Sequence, residues 1–373
     1  MELLPKEINA IIVSYITGKY QRKILNLLEY SNLPITHLSY FNKSNICKIN
    51  LNLLKTIDVE ISNLLSRNIN FINVCTNIES LTMIGCFIPN NTILMLNTLK
   101  NLTYLDMSCC HVSKNNNNNF TQLPDTITHL NISGCYRGLI KKSLKHIYQL
   151  PLKKLIMNNL VICEEPDYDS IKHMTQLEVL GVSGCLINDH NIMNYLKYLK
   201  LKELDISHND ITCNILMYLS KMTTLESLNI SNTDINDLSY LKNLQLVKLF
   251  MSKCDIRYDE LQNINTNKLI QLDISYCMIR YLDEIKRAPN MRILDLSGNY
   301  KLTQYGLNAI KNIPIEQLYL NDCNRLTFKE INDIFKSHKF IKEIYIKGIN
   351  TIGHNNKKSI MYLGLAETPK YIF

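Results

Sequence analysis

Along most of the chain, apolar residues fall in a recurring frame, L-x-x-L-x-L, with polar residues between them. In "LKELDIS" the residues Leu201, Leu204 and Ile206 are apolar, while Lys202, Glu203, Asp205 and Ser207 are polar. Alternation with a period of two predicts a strand that buries one face. The phrase returns as "LESLNIS" at Leu225, "LIQLDIS" at Leu269 and "MRILDLS" at Met291. With the middle apolar position as anchor, the frame occurs at Leu81, Leu105, Leu130, Leu155, Leu180, Leu204, Leu228, Leu249, Leu272, Leu294, Leu318 and Ile344. The spacing of these anchors is nearly constant, and Ile57, one repeat length before Leu81, reads as a degenerate earlier anchor.

The segments between strands carry a more helical pattern. In "LTQYGLNAIKNI" the residues Leu302, Leu307, Ile310 and Ile313 fall near one helical face. One such strand buries too little to stand alone, but stacked copies form a parallel sheet over a continuous core. A strand and a helical segment repeated every ~20–29 residues define the leucine-rich repeat. The expected fold is therefore an α/β leucine-rich-repeat solenoid, a horseshoe with a parallel concave sheet and a helical or irregular convex side. Three residues past the last apolar strand position stands Cys (Cys86, Cys110, Cys135, Cys185, Cys254, Cys277, Cys323) or Asn (Asn209, Asn299). Asn bonds backbone groups at such a turn, and Cys is a small apolar residue with a weak donor.

Composition narrows the setting. An apolar share of 46% in 373 residues provides for a large core. The net charge of +8 comes without a run of five or six like charges, which argues against a nucleic-acid arm. The start, "MELLPKEINAIIVSYITGKY", does not read as a secretory leader. No apolar stretch approaches the ~18 residues that span a bilayer. The 12 Cys are accordingly expected to be reduced thiols in a cytoplasmic protein. The sequons Asn131-Ile-Ser133 and Asn229-Ile-Ser231 lie within the strand phrase, where a glycan would be awkward. The tract Lys114 to Phe120, "KNNNNNF", reads as a loop insertion on the solvent side.

The phrases "MSCCHVS", "ISGCYRG", "VSGCLINDHNI" and "LNDCNRLTFKEI" resemble the cysteine-containing class of leucine-rich repeats, typical of F-box leucine-rich-repeat proteins. The resemblance covers about residues 54 to 349. The shorter repeats between Leu228 and Leu294 depart from that class's longer unit. Asn-rich repeats of this kind also resemble those encoded by giant DNA viruses of amoebae, which implies a host-cytoplasmic location. The opening Leu4-Pro5-x-Glu7-Ile8, with Ile11 and Ile12 on the same helical stripe, resembles the start of an F-box. That resemblance implies that Leu4, Pro5, Ile8, Ile11 and Ile12 dock the adaptor of a cullin-type ubiquitin ligase. The family's later Trp is missing, and the other reading is a plain helical cap over the end of the array. The expected organisation is a helical N-terminal segment over 1–32, transitional or degenerate repeats over 33–77, an array of about twelve repeats over 78–349, and a tail or cap over 350–373.

Catalytic signatures are missing. Gly18-Lys19 has no preceding glycine at phosphate-loop spacing, and neither H-E-x-x-H nor G-x-S-x-G occurs. Cys109-Cys110-His111 is the densest Cys/His spot, but adjacent cysteines chelate poorly and Cys110 already holds a repeat position. The stretch from Asn350 to Phe373 is too short for a catalytic domain. No enzyme activity, cofactor or metal is expected. Function then falls to the variable outward positions of the strands. Phe250, Tyr319 and Tyr345 are expected to present aromatic rings on the concave face, with Lys248 and Gln317 beside them, the other reading being local packing against the C-terminal tail. Asp273 and Asp295 occupy the same position in adjacent repeats, about 4.8 Å apart at strand spacing. The recurrent Asp/Asn and Ser positions are expected to exchange hydrogen bonds between neighbouring strands. A GTPase-activating role would need a positioned arginine, and Arg292 is the one near a strand anchor. The expected function is protein–protein recognition on the concave face, with recruitment of ubiquitin-ligase substrates as the sharper version and a non-catalytic scaffold as the alternative.

Overall fold

The computed structural model describes residues 37–39, 56–59, 76–88, 96–112, 123–135, 145–160 and 168–348. The chain divides into two compact units, Met1–Cys185 and Leu186–Phe373. In the first, strands β1 (His37–Ser39), β2 (Thr56–Val59), β3 (Ser80–Met83), β5 (Tyr104–Asp106), β7 (His129–Asn131), β8 (Lys154–Ile156) and β9 (Val179–Gly181) pair in parallel, each with the next. Two shorter strands, β4 (Phe87–Ile88) and β6 (His111–Val112), make a separate parallel pair. In the second unit β10 (Glu203–Asp205), β11 (Ser227–Asn229), β12 (Lys248–Phe250), β13 (Gln271–Asp273), β14 (Ile293–Asp295), β15 (Gln317–Tyr319) and β16 (Glu343–Tyr345) do the same.

Within each unit anchor stands opposite anchor. Ile57 pairs with Leu81, Leu204 with Leu228, and Leu318 with Ile344. All twelve anchors from Leu81 to Ile344 are buried, each worth roughly 1.5–3 kcal/mol of transfer from water. The strand at His37–Ser39 is an addition to the sequence reading. Its middle residue, Leu38, faces Ile57. Residues 1–32 and 350–373, which contain the expected helical segment and tail, lie outside the described residues.

In the second unit the type of return goes with repeat length, whereas in the first the 25-residue repeat from Leu155 to Leu180 carries a 3₁₀ helix at Tyr168–His173. The longer repeats, from Leu204 to Leu228 and from Leu294 to Ile344, return through α-helices at Asn214–Leu219, Gln304–Asn308 and Phe328–Ser337. The shorter repeats, from Leu228 to Leu294, return through 3₁₀ turns at Leu241–Asn243, Tyr258–Asn263 and Asp283–Ile285. A 3₁₀ turn rises about 2.0 Å per residue against about 1.5 Å for an α-helix, so it spans the return with fewer residues. The helix expected over "LTQYGLNAIKNI" is shorter than its apolar pattern. Its α-helix covers Gln304–Asn308, yet Leu302, Leu307, Ile310 and Ile313 are all buried. The last helix starts with a capping box. The Thr327 N–H donates to Glu330 Oε2 at 2.8 Å, and the Glu330 N–H donates to Thr327 Oγ1 at 3.3 Å.

Two ladders tie successive repeats together. Four residues past each of the twelve anchors, the backbone has positive φ, at Gly85, Cys109, Gly134, Asn159, Gly184, His208, Asn232, Lys253, Tyr276, Gly298, Asp322 and Gly348. That conformation aims the N–H at the following repeat. His208 donates to the Ser231 carbonyl at 2.9 Å, Tyr276 to Ser297 at 2.7 Å and Gly298 to Asn321 at 2.7 Å. One residue on, the Cys thiols reach the other way. Cys277 Sγ donates to the Met251 carbonyl at 3.0 Å, Cys135 to Met107 at 3.0 Å and Cys323 to Leu296 at 3.2 Å. Asn299 does more at the same position. Its Nδ2 donates to the Ile274 and Leu296 carbonyls, and its Oδ1 accepts from the Cys277 and Ile279 N–H groups. Burial pushes the thiols of Cys135, Cys277 and Cys323 up to about 12.

Candidate protein-binding face

Each strand of the second unit presents two side chains outward, on either side of its anchor. The position after the anchor holds Asp205, Asn229, Phe250, Asp273, Asp295, Tyr319 and Tyr345. The Asp and Asn members serve their own strand first. The N–H of the Ser two residues on donates to Asp205, Asn229, Asp273 and Asp295 at 2.8 to 3.1 Å. These local bonds form because a side chain two residues away readily reaches its own backbone. The expected exchange between neighbouring strands runs beside them, with Ser275 Oγ donating to Ser252 Oγ at 2.7 Å and Asn321 Nδ2 to Ser297 Oγ at 3.4 Å. In the first unit Asn131 Nδ2 likewise donates to Asp106 Oδ2 of the neighbouring strand at 2.9 Å.

At Phe250, Ile156 and Gly181, which offer no acceptor, the preceding repeat supplies one. Opposite Phe250, Ser231 Oγ accepts from the Ser252 N–H at 3.0 Å. In the first unit, Ser133 Oγ accepts from Asn158 beside Ile156, and Asn158 Oδ1 accepts from Ser183 beside Gly181. Phe250 is thereby free of any part in holding the turn.

The sequence-derived site residues Lys248, Phe250, Asp273, Asp295, Gln317, Tyr319 and Tyr345 all lie on five adjacent strands, β12 to β16. Phe250 pairs with Asp273, Asp273 with Asp295, Asp295 with Tyr319, and Tyr319 with Tyr345. From Phe250 to Tyr319 is three strand spacings, about 14 Å. Tyr319 and Tyr345 stack, with ring centroids 4.3 Å apart and planes 4° from parallel. Tyr345 Oη donates to Glu343 Oε2 at 2.7 Å, and Gln317 Nε2 donates to the same oxygen at 2.9 Å. The Glu343 bond raises the Tyr345 phenol above its ordinary range, with burial adding to it. Burial raises the Asp295 carboxyl, its bonds to Ser297 oppose the shift, and Asp273 adds to it. Both rings are half-buried, and Lys248 is exposed.

Arg292 is engaged on the strand's flank. Its Nη1 donates to the Met291 carbonyl at 3.1 Å, and its Nε lies 3.6 Å from Glu316, which also pairs with Lys342 at 2.7 Å. Leu4, Pro5, Ile8, Ile11 and Ile12 lie outside the described residues. Sequence reasoning passed over two features of this unit. Tyr258, Tyr281 and Tyr305 meet edge to face at 5.5 and 6.1 Å beside the returning segments. Tyr276 Oη reaches Asp322 two repeats away. Both depend on side chains in different repeats whose offsets from the anchor only the folded chain reveals.

The sheet, the repeated anchors and the two ladders define a leucine-rich-repeat solenoid. In keeping with this, the leucine-rich-repeat family model matches residues 98–115, 199–220 and 221–238. Among solved structures, an internalin from Listeria monocytogenes is 17% identical, with 93% of this chain and 90% of that chain covered and a TM-score of 0.46. Comparison with curated proteins gives no match. Leucine-rich repeats are protein-recognition modules, and this chain carries them. Among the described residues, no helix is long and apolar enough to cross a membrane.

Proposed function

We propose that the second unit recognises a protein partner through the outward face of its sheet, with Lys248, Phe250, Asp273, Asp295, Gln317, Tyr319 and Tyr345 as the contact residues. The observation that carries this reading is the stacked Tyr319–Tyr345 pair. Two large rings stand where other repeats place turn-holding Asp or Asn, and rigid aromatic side chains are favoured anchors at interfaces. Their half-buried state means that less side-chain freedom is lost when a partner docks. The reading makes the chain a non-catalytic, cytoplasmic recognition protein.

In a sharper form the chain recruits substrates to a cullin-type ubiquitin ligase, with Leu4, Pro5, Ile8, Ile11 and Ile12 on the ligase adaptor. Support for this is the Leu4-Pro5-x-Glu7-Ile8 motif. The plain scaffold is the alternative. The test is a pull-down with purified adaptor, comparing full-length protein with a version lacking residues 1–32. Binding lost with the deletion supports the ligase role, and no binding by folded full-length protein leaves the scaffold. For the sheet face, Tyr319→Ala is expected to weaken capture of a cellular partner about tenfold or more without unfolding the array. Unchanged capture would place the contact elsewhere.

A further inference from the structure

The outward face of the second unit differs in charge from the chain that carries it. The chain has 41 Lys and Arg against 33 Asp and Glu. The outward strand positions reverse that balance, with Glu203, Asp205, Asp273, Asp295 and Glu343 against the single Lys248. The acidic positions are also ordered. Asp273 and Asp295 sit side by side in register, with Phe250 on one flank and Tyr319 on the other. Adjacent carboxylates repel, and a cation between them relieves the repulsion. Guanidinium and ammonium groups pair with carboxylates, lie over aromatic rings and carry apolar stems that pack on them.

We infer that this face docks a lysine- or arginine-rich protein segment, with its cationic heads over Asp273 and Asp295 and its stems against Phe250 and Tyr319. The inference rests on the reading of this face as the binding surface and adds the chemistry of the partner. An acidic segment would meet five carboxylates and is disfavoured. A neutral apolar segment would leave the paired carboxylates desolvated without a partner.

The repeats themselves supply a clean variant. Asn131 and Asn229 hold at this position the same bond to the Ser N–H that Asp273 and Asp295 do. Asp273→Asn with Asp295→Asn therefore removes two charges and keeps the turn. Asp283→Asn with Glu284→Gln, on an exposed 3₁₀ turn away from the sheet face, removes the same charge elsewhere. The probes are fluorescein-labelled nine-residue peptides of arginine, of glutamate and of alternating serine and glycine, followed by anisotropy on full-length protein. The arginine peptide is expected to bind, the other two not. The sheet-face pair is expected to weaken that binding roughly tenfold, and the 3₁₀ pair less than about twofold.

Equal weakening by both pairs, or binding of the neutral peptide as tightly as the arginine one, overturns the inference. So does no arginine-peptide binding by the folded wild type. Self-association lost in the sheet-face pair would assign the face to a second copy and overturn it too. If Tyr319→Ala impairs capture of a cellular partner while the arginine peptide fails to bind, the binding face stands and its basic partner does not.

Discussion

Tyr276 donates its phenolic proton to Asp322 Oδ2 at 3.1 Å, across the intervening repeat. Both residues belong to the positive-φ ladder, and the rung between them is Gly298, with φ of +71°. The Tyr276 ring lies over that glycine so closely that a Cβ there would stand well inside van der Waals contact with its Cδ1.

Gly298→Ala is therefore expected to destabilise the second unit by about 1–3 kcal/mol, from left-handed strain together with displacement of the ring. His208 occupies the same rung with φ of 54° and an exposed side chain. His208→Gly is expected to stabilise by about 0.5–1 kcal/mol, since the strain goes and no packing is lost. Urea unfolding of both variants reads the two signs. A neutral Gly298→Ala would mean that the backbone at this rung is not held as described.

Leu204 faces Leu228 in the sheet and is buried. Leu204→Ala is expected to cost about 2–5 kcal/mol, the usual range for truncating a leucine in a packed core. The denaturation midpoint measures it. A change below about 0.5 kcal/mol would be incompatible with this register.

The thiols provide a third check. Cys86, Cys110, Cys135, Cys185, Cys254, Cys277 and Cys323 are buried, whereas Cys109 is exposed. With a thiol pushed up to about 12, as at Cys277, only about one molecule in ten thousand is thiolate at pH 8. Brief alkylation followed by peptide mass mapping is expected to label Cys109 and spare the seven, until denaturant is added. Fast native labelling of Cys277 would contradict its place in the ladder.

His338 sets a pH dependence. Its buried ring is satisfied when neutral, with Nε2–H donating to the Ile310 carbonyl at 3.2 Å and Nδ1 accepting from the Phe340 N–H at 3.3 Å. Burial lowers its pKa below 6.5, although the backbone carbonyls oppose the shift. The unfolded chain takes up this proton near pH 6.5 and the folded chain only at lower pH. The His338 contribution is thus complete above about pH 6.5 and declines as pH falls toward the folded value. NMR titration of the imidazole is expected to show a midpoint below 6.5. His338→Gln is expected to flatten the loss of stability between pH 7 and 5.

Much of this architecture is legible in the residues because the anchors are redundant. Leu204, Leu228 and Leu272 repeat one chemical demand, burial, at one spacing. The rung four residues later escapes notice for the opposite reason. Its demand falls on a backbone N–H, and Gly, Cys, Asn, His, Lys, Tyr and Asp all meet it. The His37–Ser39 strand escaped because a lone Leu38 stands closer to Ile57 than the regular spacing allows. Within the candidate face, the alignment of Tyr319 with Tyr345 follows from their shared offset. Their stacking, and the Glu343 oxygen shared by Tyr345 and Gln317, depend on rotamers that no spacing specifies.

The exchange of α-helix for 3₁₀ turn has an evolutionary corollary. Small insertions or deletions in a returning segment can be taken up by a change of helical pitch, with anchor still opposite anchor. The back of the second unit thus serves as slack, and its sheet residues can be substituted one repeat at a time while lengths drift behind them. Lineages of such chains should vary in repeat length without losing the alignment of their recognition residues.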